Sequence, residues 1–203
     1  MSEPLRIGDA RLYLVLEGRD AGVVEPALRG GVGVVQLRDK ELTDDELVRA
    51  AGPFRRACEA HGALFILNDR PELVAACRAD GVHVGQSDAS VAEARAIVGP
   101  GAIVGLSVET EAQLDDIAGA DYLGVTVFGT PTKTDARPGG LDLVRAAAAR
   151  VTIPWFAIGG IDLANVAEVA AAGAPGIAVV RAIRDADDPE TAARALRAVI
   201  AQG

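Results

Sequence analysis

Short aliphatic runs recur eight times along the chain, separated by amphipathic, Ala-rich stretches and Gly-rich turns. The runs fall at residues 11–16, 32–37, 63–67, 81–84, 102–106, 121–126, 153–158 and 176–180. They are continuous in Val, Ile and Leu rather than strictly alternating, the pattern of strands buried on both faces. Thr43 precedes Asp44-Asp45-Glu46, an N-cap followed by charges that suit the helix dipole. That helix is expected to run to about Ala60, where His61-Gly62 stops it. Further helices are expected over 71–79, 91–98, 109–118, 141–150, 163–172 and 189–201. Glycine just past several of them is a left-handed cap signal.

Eight strand–helix units predict an α/β protein, a single-domain (β/α)8 TIM barrel over residues 1–203 with its active site at the C-terminal ends of the strands. The rival is an open doubly wound sheet, and the lack of a G-x-G-x-x-G turn after the first strand favours the barrel. The one long interruption, residues 127–140, is rich in Gly, Pro and Thr. A loop of that length in an economical chain points to function.

Composition narrows the partners. Aromatics make up 3% of the chain, so the core is built from Val, Leu, Ile and Ala. A net charge of −9 argues against broad binding to nucleic acid or a membrane surface, yet leaves room for a local basic pocket. Cys58 and Cys77 lack C-x-x-C spacing and read as reduced core residues of a cytoplasmic protein, not a disulfide or zinc site. The first residues carry no apolar secretion signal, and no run approaches the ~20 residues of a membrane span.

Polar residues gather at one end of the expected strands. Strand two runs out into Gln36-Leu37-Arg38-Asp39-Lys40, strand three into Asn68-Asp69-Arg70, and strand four into His83-Val84-Gly85-Gln86-Ser87-Asp88. Strand five ends in Ser107, strand six leads to Thr130-Pro131-Thr132-Lys133, strand seven ends in Gly159-Gly160-Ile161, and strand eight in Val180-Arg181. Asp69 and Asp88 could share a divalent ion such as Mg2+, the alternative being that each caps the following helix. Arg38, Lys40 and Lys133 would suit a departing pyrophosphate, the alternative being solvated surface charge. Gly160 and Val180-Arg181 stand where such barrels bind phosphate on bare backbone N–H groups, the alternative being a plain turn. His61 reads as a helix-end dipole partner and His83 as a core or supporting residue. No base is apparent to make Ser107 a nucleophile.

Together these motifs resemble the thiamine phosphate synthase family, in the family's order and over about the whole chain. The resemblance implies a Mg2+-dependent transferase of thiamine biosynthesis. Such an enzyme joins 4-amino-5-hydroxymethyl-2-methylpyrimidine pyrophosphate to 4-methyl-5-(2-hydroxyethyl)thiazole phosphate by a dissociative route through a pyrimidine carbocation. It implies that Gln36, Leu37, Arg38, Asp39, Lys40, Asn68, Ser107 and Lys133 hold the pyrimidine pyrophosphate. Arg38, Lys40, Ser107 and Lys133 are then catalytic. Thr130, Pro131, Thr132, Gly160, Val180 and Arg181 hold the thiazole phosphate, and Asp69 and Asp88 bind Mg2+. The partners implied are phosphorylated small molecules, with neither nucleic acid nor membrane, and a homo-oligomer remains open. Two positions depart from the family pattern: Arg181, where Ser is frequent, and Glu109, where many members carry His. Rivals are a thiazole tautomerase, another phosphate-binding isomerase or epimerase, and a non-catalytic regulatory barrel.

Overall fold

A computed structural model describes residues 5–117, 119–129 and 139–202. Eight parallel strands close into a barrel in sequence order. They are β1 (Leu12–Leu16), β2 (Val34–Leu37), β3 (Leu64–Asn68), β4 (Gly81–Val84), β5 (Ile103–Val108), β6 (Tyr122–Thr126), β7 (Trp155–Ile158) and β8 (Ile177–Val179). Closure is by pairing of β1 with β8, Leu12 opposite Ile177. All eight lie within the segments expected from the aliphatic runs, apart from a residue or two at the ends of β3 and β5.

Each strand is sided by its pleat. In β1, Leu12, Leu14 and Leu16 point outward into the core shared with the helices, while Tyr13 and Val15 point into the barrel. The interior layer adds Val34, Ile66, Tyr122, Phe156 and Ala178. Leu5 and Ile7, ahead of β1, pack against this layer and close the N-terminal end of the barrel.

Around the barrel run α1 (Ala21–Arg29), α2 (Asp44–His61), α3 (Val74–Cys77), α4 (Val91–Val98), α5 (Gly140–Arg150), α6 (Val166–Ala171), α7 (Arg181–Arg184) and α8 (Pro189–Ile200). Thr43 opens α2 as expected: the Glu46 carboxylate accepts the Thr43 N–H at 2.9 Å and its hydroxyl at 2.7 Å, which lowers the Glu46 pKa. Gly62, left-handed at φ +67°, ends the helix directly after His61.

Three expected helices are shorter than their patterns. Segment 71–79 splits into a 3-10 turn, Pro71–Leu73, and the single turn α3, which Arg78 ends at φ +54°. Segment 109–118 yields only a 3-10 turn, Glu111–Asp115. There the Gln113 amide oxygen accepts the N–H groups of Glu109 and Thr110, and only Leu114 is buried to reward a longer helix. Segment 163–172 begins late, at Val166, because Asp162 and Asn165 take the intervening backbone into Asx turns. In the other direction, α1 carries Gly22 and Pro26, residues that obscure a helical pattern. Burial of Val24, Ala27 and Leu28, with α2 on one side and α8 on the other, holds it.

The N-terminal end of the barrel is fastened by two equivalent ion pairs. Asp80, just before β4, accepts the Phe65 N–H at 2.7 Å and Arg55 Nη1 at 2.9 Å. Asp121, just before β6, accepts the Val104 N–H at 2.7 Å and pairs with Arg95. Both cysteines are buried, free thiols. Burial pushes the Cys58 thiol up to about 12, with Arg55 opposing and Asp80 and Glu59 adding. An exposed thiol loses its proton near ~8.5, so folding favours the protonated form. Stability from this site is therefore complete below pH ~8.5 and is lost as pH climbs toward 12. A thiol-disulfide reagent at pH 8 is expected to leave Cys58 unmodified in native protein and to react once urea unfolds it. Reaction at equal rates in both states would contradict the burial.

Candidate active site

A cavity of about 400 Å³ opens at the C-terminal ends of the strands, and residues on or just after all eight strands line it. The β2 end contributes Gln36, Arg38 and Lys40, the β3 end Asn68 and Asp69, and β4 with its following turn His83, Gly85 and Asp88. Ser107 enters from β5, Thr126 from β6, Ile158, Gly159 and Gly160 from β7, and Val180 and Arg181 from β8.

Local backbone chemistry explains how the motifs turn into a site. Asp69 sits at φ +61°, a left-handed conformation that Asp tolerates better than most residues, directly after β3. Its N–H donates to the His83 carbonyl at 2.9 Å. This turn separates neighbours in the motif: Asp69 faces the cavity, while Arg70 straps the loop before α2 through Asp44 at 2.9 Å and the Leu42 carbonyl at 2.8 Å. Asp88 accepts the Gly85 N–H at 2.8 Å. A Cβ on Gly85 would lie 2.6 Å from the Asp88 carboxylate, so a side chain there would displace that carboxylate from its place. Asp88 does not cap the next helix; Ser90 does, accepting the Glu93 N–H at 3.2 Å.

The two carboxylates meet. Burial pushes the Asp69 pKa up, a hydrogen bond with Asp88 and its charge push further, and Lys40 and Arg38 oppose. Lys40 Nζ stands 3.5 Å from Asp69 Oδ2. Two carboxylates in contact beside two cations form a hard, all-oxygen donor set. Among the described residues no larger His, Cys, Asp and Glu cluster stands ready to hold a metal. Mg2+ is usually held by one or two carboxylates with waters and substrate phosphates rather than by a full protein cage, so this pair fits it.

Not every expected residue reaches the cavity. The Leu37 side chain, on the outer face of β2, is fully buried in the core between sheet and helices. Asp39 braces its own loop, accepting the N–H groups of Gly18 at 3.1 Å and Glu41 at 3.2 Å. Thr130, Pro131, Thr132 and Lys133 lie outside the described residues. At the β7 end, Gly159 and Gly160 have φ of +107° and +59°. A Cβ on Gly159 would sit 2.4 Å from the Phe128 carbonyl oxygen.

The motifs did not bring out the floor of the cavity or the histidine beside Ser107. His83 Nε2 is 2.9 Å from Ser107 Oγ, so Ser107 does have a histidine beside it. His83 Nδ1 is 3.0 Å from the Tyr122 hydroxyl, which lies 2.9 Å from that of Tyr13. Gln36 donates to Tyr13 at 2.8 Å. The signal was present: both tyrosines of the chain sit within aliphatic runs, and Tyr13 falls in the strand-one phase opposite to the leucines.

The closed barrel and its one-sided mouth define a (β/α)8 protein whose candidate active site sets paired carboxylates beside cations. Residues 12–183 match the family model described as thiamine monophosphate synthase, and the chain belongs to that family. It is 45% identical over 201 residues to thiamine-phosphate synthase of Methanocella arvoryzae, covering 94% of this chain and 95% of that protein. The Gloeobacter violaceus thiamine-phosphate synthase is 49% identical over 166 residues, 79% of this chain and 49% of the relative. The chain thus spans about half the length of several cyanobacterial relatives it matches. Among solved structures, thiamine phosphate pyrophosphorylase from Pyrococcus furiosus superimposes with a TM-score of 0.87 at 34% identity, covering 97% of this chain and 98% of that one.

Proposed function

We propose that the chain is a thiamine phosphate synthase. It transfers the hydroxymethylpyrimidine group of 4-amino-5-hydroxymethyl-2-methylpyrimidine pyrophosphate to the ring nitrogen of 4-methyl-5-(2-hydroxyethyl)thiazole phosphate and releases pyrophosphate. The observation that carries this reading is the Asp69–Asp88 pair flanked by Lys40 and Arg38 at the mouth of one cavity.

Arg38 and Lys40 take the charge of the departing pyrophosphate, and Lys133 is assigned the same task from its motif. Asp69 and Asp88 hold Mg2+, whose chemistry is neutralisation of phosphate charge. Gln36, Asn68 and Ser107 orient the pyrimidine. Phe128, Phe156, Ile158 and Val180 give the cavity apolar walls, which shield a carbocation from water in a dissociative route. The thiazole phosphate lies against Gly160, Val180 and Arg181, with Thr130, Pro131 and Thr132 assigned from sequence. Arg181 adds a cation to that subsite. Leu37 packs the core and Asp39 braces the loop, neither side chain touching substrate in this proposal. A cytoplasmic location belongs to the same proposal, supported by two free, buried thiols. No described helix is long and apolar enough to cross a membrane.

The contact between His83 and Ser107 revives one ground for an isomerase, which needs a positioned acid–base pair. Such an isomerase has no use for the carboxylate pair and its cations. Purified protein given both substrates and Mg2+ is expected to form thiamine phosphate and pyrophosphate, detected by mass spectrometry, with formation abolished by EDTA. No product from folded protein overturns the proposal; product undiminished by EDTA removes the metal from it.

A further inference from the structure

The polar floor is a connected run: Gln36 Nε2, Tyr13 Oη, Tyr122 Oη, His83 Nδ1 and, across the ring, His83 Nε2 and Ser107 Oγ, with steps of 2.8, 2.9, 3.0 and 2.9 Å, and Gln36 also reaches Tyr122. Proton counting gives it a direction. An amide nitrogen can only donate, so the Tyr13 oxygen accepts from Gln36. Tyr13 has one proton and spends it on Tyr122; Tyr122 likewise donates to His83 Nδ1. A neutral imidazole that accepts at Nδ1 carries its proton at Nε2, and Nε2 therefore donates to Ser107 Oγ. The Ser107 proton is then not spent on His83 and is available to a ligand in the cavity that Ser107 lines.

The surrounding strands are cut to fit this file. A Cβ on Gly105 of β5 would lie 2.2 Å from the Tyr122 ring, and one on Gly124 of β6 would lie 3.2 Å from His83 Cε1. Phe156 stands edge-on to both tyrosines, with centroids 5.3 and 6.0 Å away. Gln36, Tyr13 and Tyr122 are each no more than 5% exposed.

We infer that Gln36, Tyr13, Tyr122 and His83 form a directed hydrogen-bond chain that presents the Ser107 hydroxyl as a donor to a lone pair on a heteroaromatic ring nitrogen of the substrate. Tyr13 and Tyr122 are positioning residues, acting through His83. The orientation also denies Ser107 a base, because the neighbouring nitrogen is already protonated; Ser107 reads a ligand and does not attack it. The inference rests on the proposed function only for the identity of that ligand, the pyrimidine.

The test is the imidazole 15N NMR spectrum of the ligand-free protein. The chain has two histidines, and His61→Gln assigns the other. His83 is expected as the Nε2–H tautomer, with Nδ1 bare. Gln36→Leu removes the donor that sets the direction and is expected to give mixed tautomers. Tyr122→Phe is expected to raise KM for the pyrimidine substrate about tenfold with a smaller change in kcat, the size of one lost hydrogen bond. An Nδ1–H tautomer in the wild-type spectrum overturns the inference, and so does a tautomer indifferent to Gln36→Leu in folded protein. The spectrum needs no substrate. A failed coupling assay therefore refutes the reaction and leaves the directed chain standing, and a wrong tautomer does the reverse.

Discussion

Asp69→Asn is expected to lower kcat/KM by about 10²–10³-fold while the protein keeps its fold. Asparagine matches aspartate in size and is equally at ease at positive φ, so the turn after β3 survives. The negative charge that meets Asp88 and Lys40 is what disappears. A metal-holding role gives the loss a signature: the Mg2+ concentration for half-maximal rate rises by roughly tenfold or more. Circular dichroism and thermal unfolding establish the fold, and rate against Mg2+ establishes the role. A variant with the wild-type Mg2+ curve removes Asp69 from the metal site, whatever its rate. Asp88→Asn is the companion experiment, with the Gly85 N–H still able to donate to the amide oxygen.

Asp80→Ala acts at the far end of the barrel and on stability alone. It takes the half-buried Asp80 carboxylate from the Arg55 side chain, which is 10% exposed and keeps Glu59 at 3.4 Å, and strips the Phe65 N–H of its acceptor. Losing this partner costs about 2 kcal/mol, shared between the weakened compensation of the Arg55 charge and the unpaired Phe65 N–H. With an m-value of roughly 2–3 kcal/mol per molar, the urea midpoint falls by about 1 M. Adding Arg55→Met to Asp80→Ala is expected to recover part of the loss, because the charge that lost a partner goes too while the Phe65 N–H stays unpaired. If the single variant unfolds at the wild-type midpoint, the pair contributes nothing. Turnover per folded molecule is expected to stay unchanged, since Asp80 lies at the opposite end of β4 from the cavity.

How much of this was legible in sequence depended on the range of the interaction. The eight strands were legible because continuous aliphatic runs reflect burial on both faces, a property each residue carries by itself. So was α2, where Thr43, Glu46, His61 and Gly62 mark both ends locally. Helix α1 was missed because Gly22 and Pro26 speak against a helix that only its contacts with α2 and α8 secure. The segment after β5 was read too long because periodicity cannot show the Gln113 side chain capturing two N–H groups. In the site, motif spacing brought out the mouth, Asp69, Asp88, Arg38 and Lys40, since each follows a strand end. The floor stayed hidden because Tyr13 and Tyr122 are 109 residues apart and meet only through closure of the barrel. Neighbours inside a motif also parted: Leu37 and Asp39 turned to structural tasks while Gln36, Arg38 and Lys40 faced the cavity.

Leu5 and Ile7, packed beneath the interior layer, make the barrel a vessel with a base and one mouth. Traffic through such a vessel is last in, first out. Under the proposed function, a ring seated against Ser107 and the tyrosine floor arrives before anything that rests above it, and whatever lies at the rim departs before the contents below. If two substrates share this well as proposed, depth sets the order of binding, and the partner held at the rim acts as the stopper.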